Sequence, residues 1–142
     1  MMAMNWIFWA LLSALFAAAT AVLAKIGVAH VDSNLATAIR TTVVLVFAWA
    51  IAIGLGKHGE IRQVDGRAWL FLTLSGLATG LSWLCYFRAL QLGPASRVAP
   101  LDKLSVVLVM VFAVLFLGEK LSPAALVGGG LIAAGAVVMV LA

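Results

Sequence analysis

The chain has 142 residues, 65% of them hydrophobic and only 10% charged, with a mean hydropathy of +1.20. Soluble domains carry about 45–50% apolar and about 25% charged residues, so this composition excludes a soluble catalytic domain and marks a single-domain, all-α integral membrane protein. The net charge of +4 is scattered over segment ends; no Lys/Arg run of the nucleic-acid-binding type exists, so no nucleic-acid partner is expected.

Five apolar segments are predicted, at about residues 6–25, 35–55, 68–92, 98–117 and 123–142. Segment one opens on Trp6 and Trp9, which suit an interfacial anchor. Ala10, Ala14 and Ala18, and separately Ala17 and Ala21, recur at four-residue spacing, a pattern that lets helices approach closely in lipid. Ala19-Thr20-Ala21 resembles a signal cleavage site. No Lys or Arg precedes Trp6, however, and the apolar run exceeds a signal core, so the segment reads as a span. Lys25 closes it. A polar turn with His30, Asp32 and Ser33 follows, and Asp32, Ser33 or Asn34 is expected to cap the next helix. Segment two carries Arg40 about one and a half turns in and ends at Gly54 and Gly56.

The stretch from Lys57 to Arg67 is the hydrophilic part of the chain and reads as a solvated loop. Segment three starts near Trp69 and contains the pair Gly76 and Gly80, which predicts a packed helix seam. Ser82, Trp83, Tyr86 and Leu90 fall on one helical face, and Arg88 lies near the end. Cys85 is the one cysteine, so no disulfide within the chain is expected, and no Cys/His cluster predicts a metal.

Segment four, Val98 to Leu117, has 20 residues, which at 1.5 Å per residue is about 30 Å, the thickness of the hydrocarbon core. Leu104 to Leu117 is interrupted only by Ser105. Asp102 and Lys103, just after Pro100, are expected roughly 6 Å below one surface. A charge pair there is costly in lipid. Two readings stay open: both side chains snorkel outward with a local pairing, or they line a solute path. Gly118, Glu119 and Lys120 end the segment. Segment five begins at Pro123, a first-turn proline, and has no charge. Ala125, Gly129 and Ala133 form a small-residue ridge suited to packing on other helices.

No nucleophile-and-base set, phosphate loop or metal motif is present, so no enzyme and no cofactor are expected. Lys25, Arg40, Arg88, Asp102 and Lys103 fall toward the same predicted face. They suggest either a basic vestibule for an anionic solute or head group, or snorkelling with Asp102 paired to one cation. Trp83 and Tyr86 lie just below that level, where they line a cavity or pack against helices. The candidate path residues are therefore Arg40, Trp83, Tyr86, Arg88, Asp102 and Lys103.

The stretch YFRALQLGPASRVAPLDKLSVVLVMVFAVLFLGEKLS, Tyr86 to Ser122, followed by GGGLIAAGAVVMV, resembles the EamA domain of the drug/metabolite transporter superfamily. APLDKLS, and DSNLATAIRT from Asp32, resemble its bacterial and archaeal single-domain branch. The resemblance covers almost the whole chain. It implies half of a ten-helix, inverted-repeat architecture around a cavity of alternating access, and export or exchange of small metabolites or drugs. A homodimer, antiparallel in the simplest case, is implied because the second half is missing. The chain departs from the four-helix small multidrug branch in having no Glu in its first helix, which argues against cation/proton antiport by that route. Alternatives from other classes are a non-transporting accessory or scaffold protein and a lipid-head-group flippase.

Five spans put the two ends on opposite sides, so an identical companion must be inverted to make a repeat of the kind found in many secondary transporters. Lys57, Arg62, Arg67 and Lys120 lie on one side. The other side has Arg97 alone, or Lys25, Arg88 and Arg97 when helix ends are counted. The charge bias predicts a cytoplasmic amino terminus in the inner membrane and leaves dual insertion open. Reporters fused to each end are expected to give a cytoplasmic signal from the amino terminus and an external one from the carboxyl terminus; a cytoplasmic carboxyl terminus in every molecule contradicts this topology.

Overall fold

Backbone N–H and C=O groups find no partners in hydrocarbon, so a chain this apolar satisfies them inside helices. The computed structural model describes residues 2–142, with side chains from residue 6 onward. It is helical accordingly, with no strand among the described residues. The helices are α1 (Met2–Gly27), α2 (Ser33–Gly54), α3 (Gly66–Leu92), α4 (Ala95–Asp102), α5 (Leu104–Leu117) and α6 (Pro123–Leu141), with a 3-10 helix at Lys57–Gln63. Five spans are long and apolar enough to cross a bilayer, α4 and α5 together making the fourth, Ala95–Leu117.

Helix starts follow short polar signals. Asp32 caps α2, its carboxylate accepting from the N–H groups of Asn34 at 2.9 Å and Leu35 at 3.1 Å. Asp65 caps α3 by accepting from Ala68 N–H at 3.1 Å. Ser122 Oγ accepts from Ala125 N–H at 3.1 Å, with Pro123 in the first turn of α6. Such caps each stabilise a helix by roughly 1 kcal/mol. Gly118 ends α5 at φ 67°, in the left-handed region, where an L side chain would be strained.

Two expectations change. The stretch after α2 holds a 3-10 helix, Lys57–Gln63, although its residues are exposed as a solvated loop would be. The Lys57–Glu60 pair on it, at 2.6 Å, is exposed and contributes little. The fourth span starts three residues earlier than predicted and is interrupted at Lys103. Pro100 lacks an N–H and weakens the hydrogen-bond ladder. One turn later the bonding tightens: Lys103 N–H donates to Pro100 C=O and Val106 N–H to Lys103 C=O, both at 3.0 Å. These are i to i−3 bonds, the 3-10 pattern. Counted from Ala95, Asp102 lies about 10 Å into the span instead of about 6 Å.

The chain divides into two compact units, one holding residues up to Lys25 with Leu92–Ala142, the other Ile26–Gln91. In the first unit α6 packs along α4 and α5. Its Ala125, Gly129, Ala133 ridge faces inward: Gly129 is buried, Ala125 and Ala133 half-buried, and Ala136 extends the stripe. A Cβ on Gly129 would stand 2.7 Å from Met110 Sδ, so the end of the Met110 side chain occupies the space that the missing Cβ leaves on α6. In the second unit the most buried side chains are Val28, Phe87 and Leu90, at 1%, 3% and 0% exposure, beside the buried Ser33 and Thr37. Gln91 ties this core to the turn before α2. Its Nε2 donates to Val28 C=O at 3.2 Å and Val31 C=O at 2.6 Å.

The other small-residue stripes behave differently. Gly76 and Gly80, expected to form a seam, have nothing within 4 Å of where a Cβ would stand. Ala10, Ala14, Ala17 and Ala18 are exposed, and Ala21 is buried. Among the described residues Gly76 and these alanines, Ala21 apart, are exposed, and Gly80 is half-buried.

Gly129→Leu must displace the Met110 side chain and overfill the buried seam of α5 and α6, and is expected to lower stability by about 1–3 kcal/mol. Gly128→Leu, at a position open to 4 Å, leaves stability near that of the parent; thermal unfolding in detergent compares the two. Gln91→Glu replaces two donated hydrogen bonds by a carboxylate facing two carbonyls, so it should destabilise more than Gln91→Leu, which itself costs about 1–3 kcal/mol. Faster hydrogen exchange in the turn at residues 28–32 of both variants would register the loss.

Candidate functional site

The helical repeat places Ser33, Thr37, Arg40 and Thr41 on one side of α2, and Trp83, Phe87 and Leu90 on one side of α3. The hydroxyls look after themselves: Thr37 Oγ1 donates to Ser33 C=O and Thr41 Oγ1 to Thr37 C=O, both at 2.8 Å. Arg40 cannot do the same, because a guanidinium has only donors. It reaches to α3 instead. Its Cζ lies 4.2 Å from the ring centroid of Trp83 and 5.4 Å from that of Phe87. Tyr86 interacts with it electrostatically.

Depth gives this contact meaning. Trp83 is nine residues from the last residue of α3, or about 13 Å of helix rise. Phe87 is nearer the end, yet the guanidinium is closer to Trp83. The side chain therefore leans along the helix toward the deeper ring. A cation at the centre of a span costs about 2.5–3.5 kcal/mol on insertion scales, an upper bound for Arg40, about a third of the way along α2, and a desolvated cation–π contact returns about 2 kcal/mol. The rings offset much of the charge's cost. Among the described residues, no carboxylate pairs with Arg40.

Of the six residues singled out from the sequence, Arg40, Trp83 and Tyr86 come together. Arg88 is exposed and turns outward along its own helix, Nη1 donating to Gln91 Oε1 at 3.1 Å. Asp102 and Lys103 belong to the other unit. There they form a 3.8 Å pair at the helix interruption, with side chains 40% and 56% exposed. Lys25, in that same unit, donates to Gly93 C=O at 2.9 Å.

The face of α3 is rotated from the expected one. Ser82 is exposed, whereas Phe87 is buried and completes the ring pair. Phe87 and Gln91 were not singled out from the sequence. The four-residue spacing of Trp83, Phe87 and Gln91 is the signal that could have found them. Among the described residues no group of three or more His, Cys, Asp or Glu side chains gathers in metal-binding fashion.

Comparison with known proteins agrees with the architecture. A curated protein from Sinorhizobium sp., described as "Uncharacterized transporter in cobO 3'region", is 59% identical over 138 residues, covering 97% of this chain and 98% of its own length. No solved structure matches. The pattern of the EamA-like transporter family matches residues 4–141. The match takes in all five apolar spans and the helices that carry the Arg40 site: the chain is a multi-pass membrane protein and belongs to the EamA-like transporter family.

Proposed function

We propose that the protein is a secondary transporter of a small solute, working by alternating access in the inner membrane as an antiparallel pair of identical chains. The observation that carries this reading is the unfinished surface of the spans. No more than 11% of the residues in the apolar window of any span are buried within the chain. A path for a polar solute must be walled from lipid on every side, and these helices leave wide faces unmatched.

The position of one such face favours inversion. Gly76 and Gly80 meet nothing within 4 Å, and they flank residue 79, the midpoint of α3, which runs from Gly66 to Leu92. Two helices related by an axis in the membrane plane meet at equal depth only near their midpoints. A close-approach pair of glycines belongs there in an inverted assembly. The family and the relative described as a transporter support the same activity. Arg40, Trp83 and Tyr86 then line the path, with Arg88 at its mouth and Asp102 and Lys103 at the break in the fourth span. The amino terminus is then cytoplasmic in one copy and external in its companion, the dual insertion that the charge bias leaves open, and reporters at each end give both signals instead of one.

Purified protein in liposomes is expected to exchange at least one solute from a metabolite panel. With Cys85→Ser as background, Gly80→Cys, one residue from the midpoint and so only about 3 Å of helix rise from its inverted copy, is expected to give a disulfide-linked pair in native membranes, whereas Gly76→Cys, about 9 Å of rise from its copy, is beyond disulfide reach. Absence of both flux and solute-dependent stabilisation across the panel would remove the transport reading. Full flux from vesicles holding a single copy would remove the paired mechanism.

A further inference from the structure

Arg40 has a feature that the transport reading does not by itself explain. Its charge is held deep against aromatic rings, not on a carboxylate. Its Cζ rests over Trp83 and Phe87 at 4.2 and 5.4 Å, with Tyr86 nearby. The guanidinium carries five N–H donors in a rigid fork, and among the described residues no carboxylate takes them. The nearby threonine hydroxyls donate to their own helix, so they do not compete for an acceptor. Acid groups on the same unit lie elsewhere: Asp32 caps α2, Asp65 caps α3, and Glu60 pairs with Lys57.

We propose that the edge of Arg40, presented by the Trp83–Phe87 platform, is a recognition site for the oxyanion of an amphiphilic monoanion. The single charge follows from charge matching, because the cation on the facing part of α3, Arg88, is exposed and turned to Gln91. The apolar body follows from dehydration. Leu81 and Leu84 on α3 and Val43 and Val44 on α2 are exposed, apolar neighbours in sequence of the two contact helices. A small, strongly hydrated dianion would lose most of its water there with one cation to replace it. An aryl or alkyl carboxylate loses less and keeps a bidentate match to the fork. The phosphodiester of an anionic lipid offers the same chemistry. As the substrate class of a transporter, this monoanion rests on the transport reading for its use, although not for its geometry.

The test uses the full chain in phosphatidylcholine nanodiscs, with benzoate as probe and benzamide as the neutral isostere, read by calorimetry and thermal stability. Benzoate is expected to bind and stabilise, and benzamide not. Arg40→Gln should weaken benzoate by about tenfold or more, and Arg40→Lys, which keeps charge and loses the fork, by less. Arg67→Gln, whose residue lies 5.8 Å from the Phe71 ring at the other end of α3, should leave binding unchanged.

A second arm replaces part of the phosphatidylcholine by phosphatidylglycerol without benzoate. Stabilisation that depends on Arg40 in this arm alone assigns the oxyanion to lipid, and in the benzoate arm alone to a free solute. Equal binding of benzoate and benzamide by the parent protein would overturn the proposal whatever the variants do, as would an Arg40→Gln protein of normal stability that binds benzoate normally. Benzoate binding without any flux would keep the site and remove transport. Flux of neutral or cationic solutes without benzoate binding would do the reverse.

Discussion

The bilayer offers no water to a stranded polar group, and this constraint orders most of what the molecule does. Hydroxyls in α2 donate to carbonyls four residues back. Thr79 does the same in α3, donating to Ser75 C=O at 2.9 Å. Carbonyls in the turns at span ends are also taken up by side chains: Gly93 C=O by Lys25, and those of Val28 and Val31 by Gln91. Among the described residues no buried side-chain N or O atom lacks a partner. Against that background a guanidinium resting on two rings is the exception, and exceptions of this kind inside a membrane mark function more often than architecture.

The two units reach their stability by different means. The unit holding α4, α5 and α6 relies on fit, with small residues on α6 admitting side chains from its neighbours. The unit Ile26–Gln91 relies on a few buried groups at one end, Val28, Thr37, Phe87 and Leu90, fastened by Gln91. The rest of α2 and α3 is largely exposed, an arrangement stable only where lipid or protein covers it.

Much of this was legible in the sequence. Apolar runs of membrane length, bounded by Gly, Pro and charges, gave five spans to within a few residues, because length and polarity are local properties. Asp32 was among three candidate caps because any short polar side chain at that place serves. Less legible was anything that depends on which face a helix turns inward. In a membrane, lipid and partner helix are equally apolar, so the pattern of hydrophobic residues does not distinguish them. The Gly76–Gly80 pair and the Ala125–Gly129–Ala133 ridge therefore look alike as sequence, yet one is open and the other packed. Pro100 is visible in the sequence, but segment four reads as continuous there; the break at Lys103, one turn downstream, depends on backbone geometry that residue types do not fix. At the candidate site, Arg40 and Trp83 stood out because charge and indole are rare in a span, while Phe87 was hidden among ordinary apolar residues.

The fit of Met110 to Gly129 has a chemical corollary. The thioether sulfur lies where a single added carbon on α6 would crowd it. Oxidation to the sulfoxide attaches an oxygen to that sulfur and makes it polar. Met110 is half-buried against α6, so the new oxygen would sit among apolar neighbours, and peroxide damage at one side chain would weaken the pairing of α5 with α6.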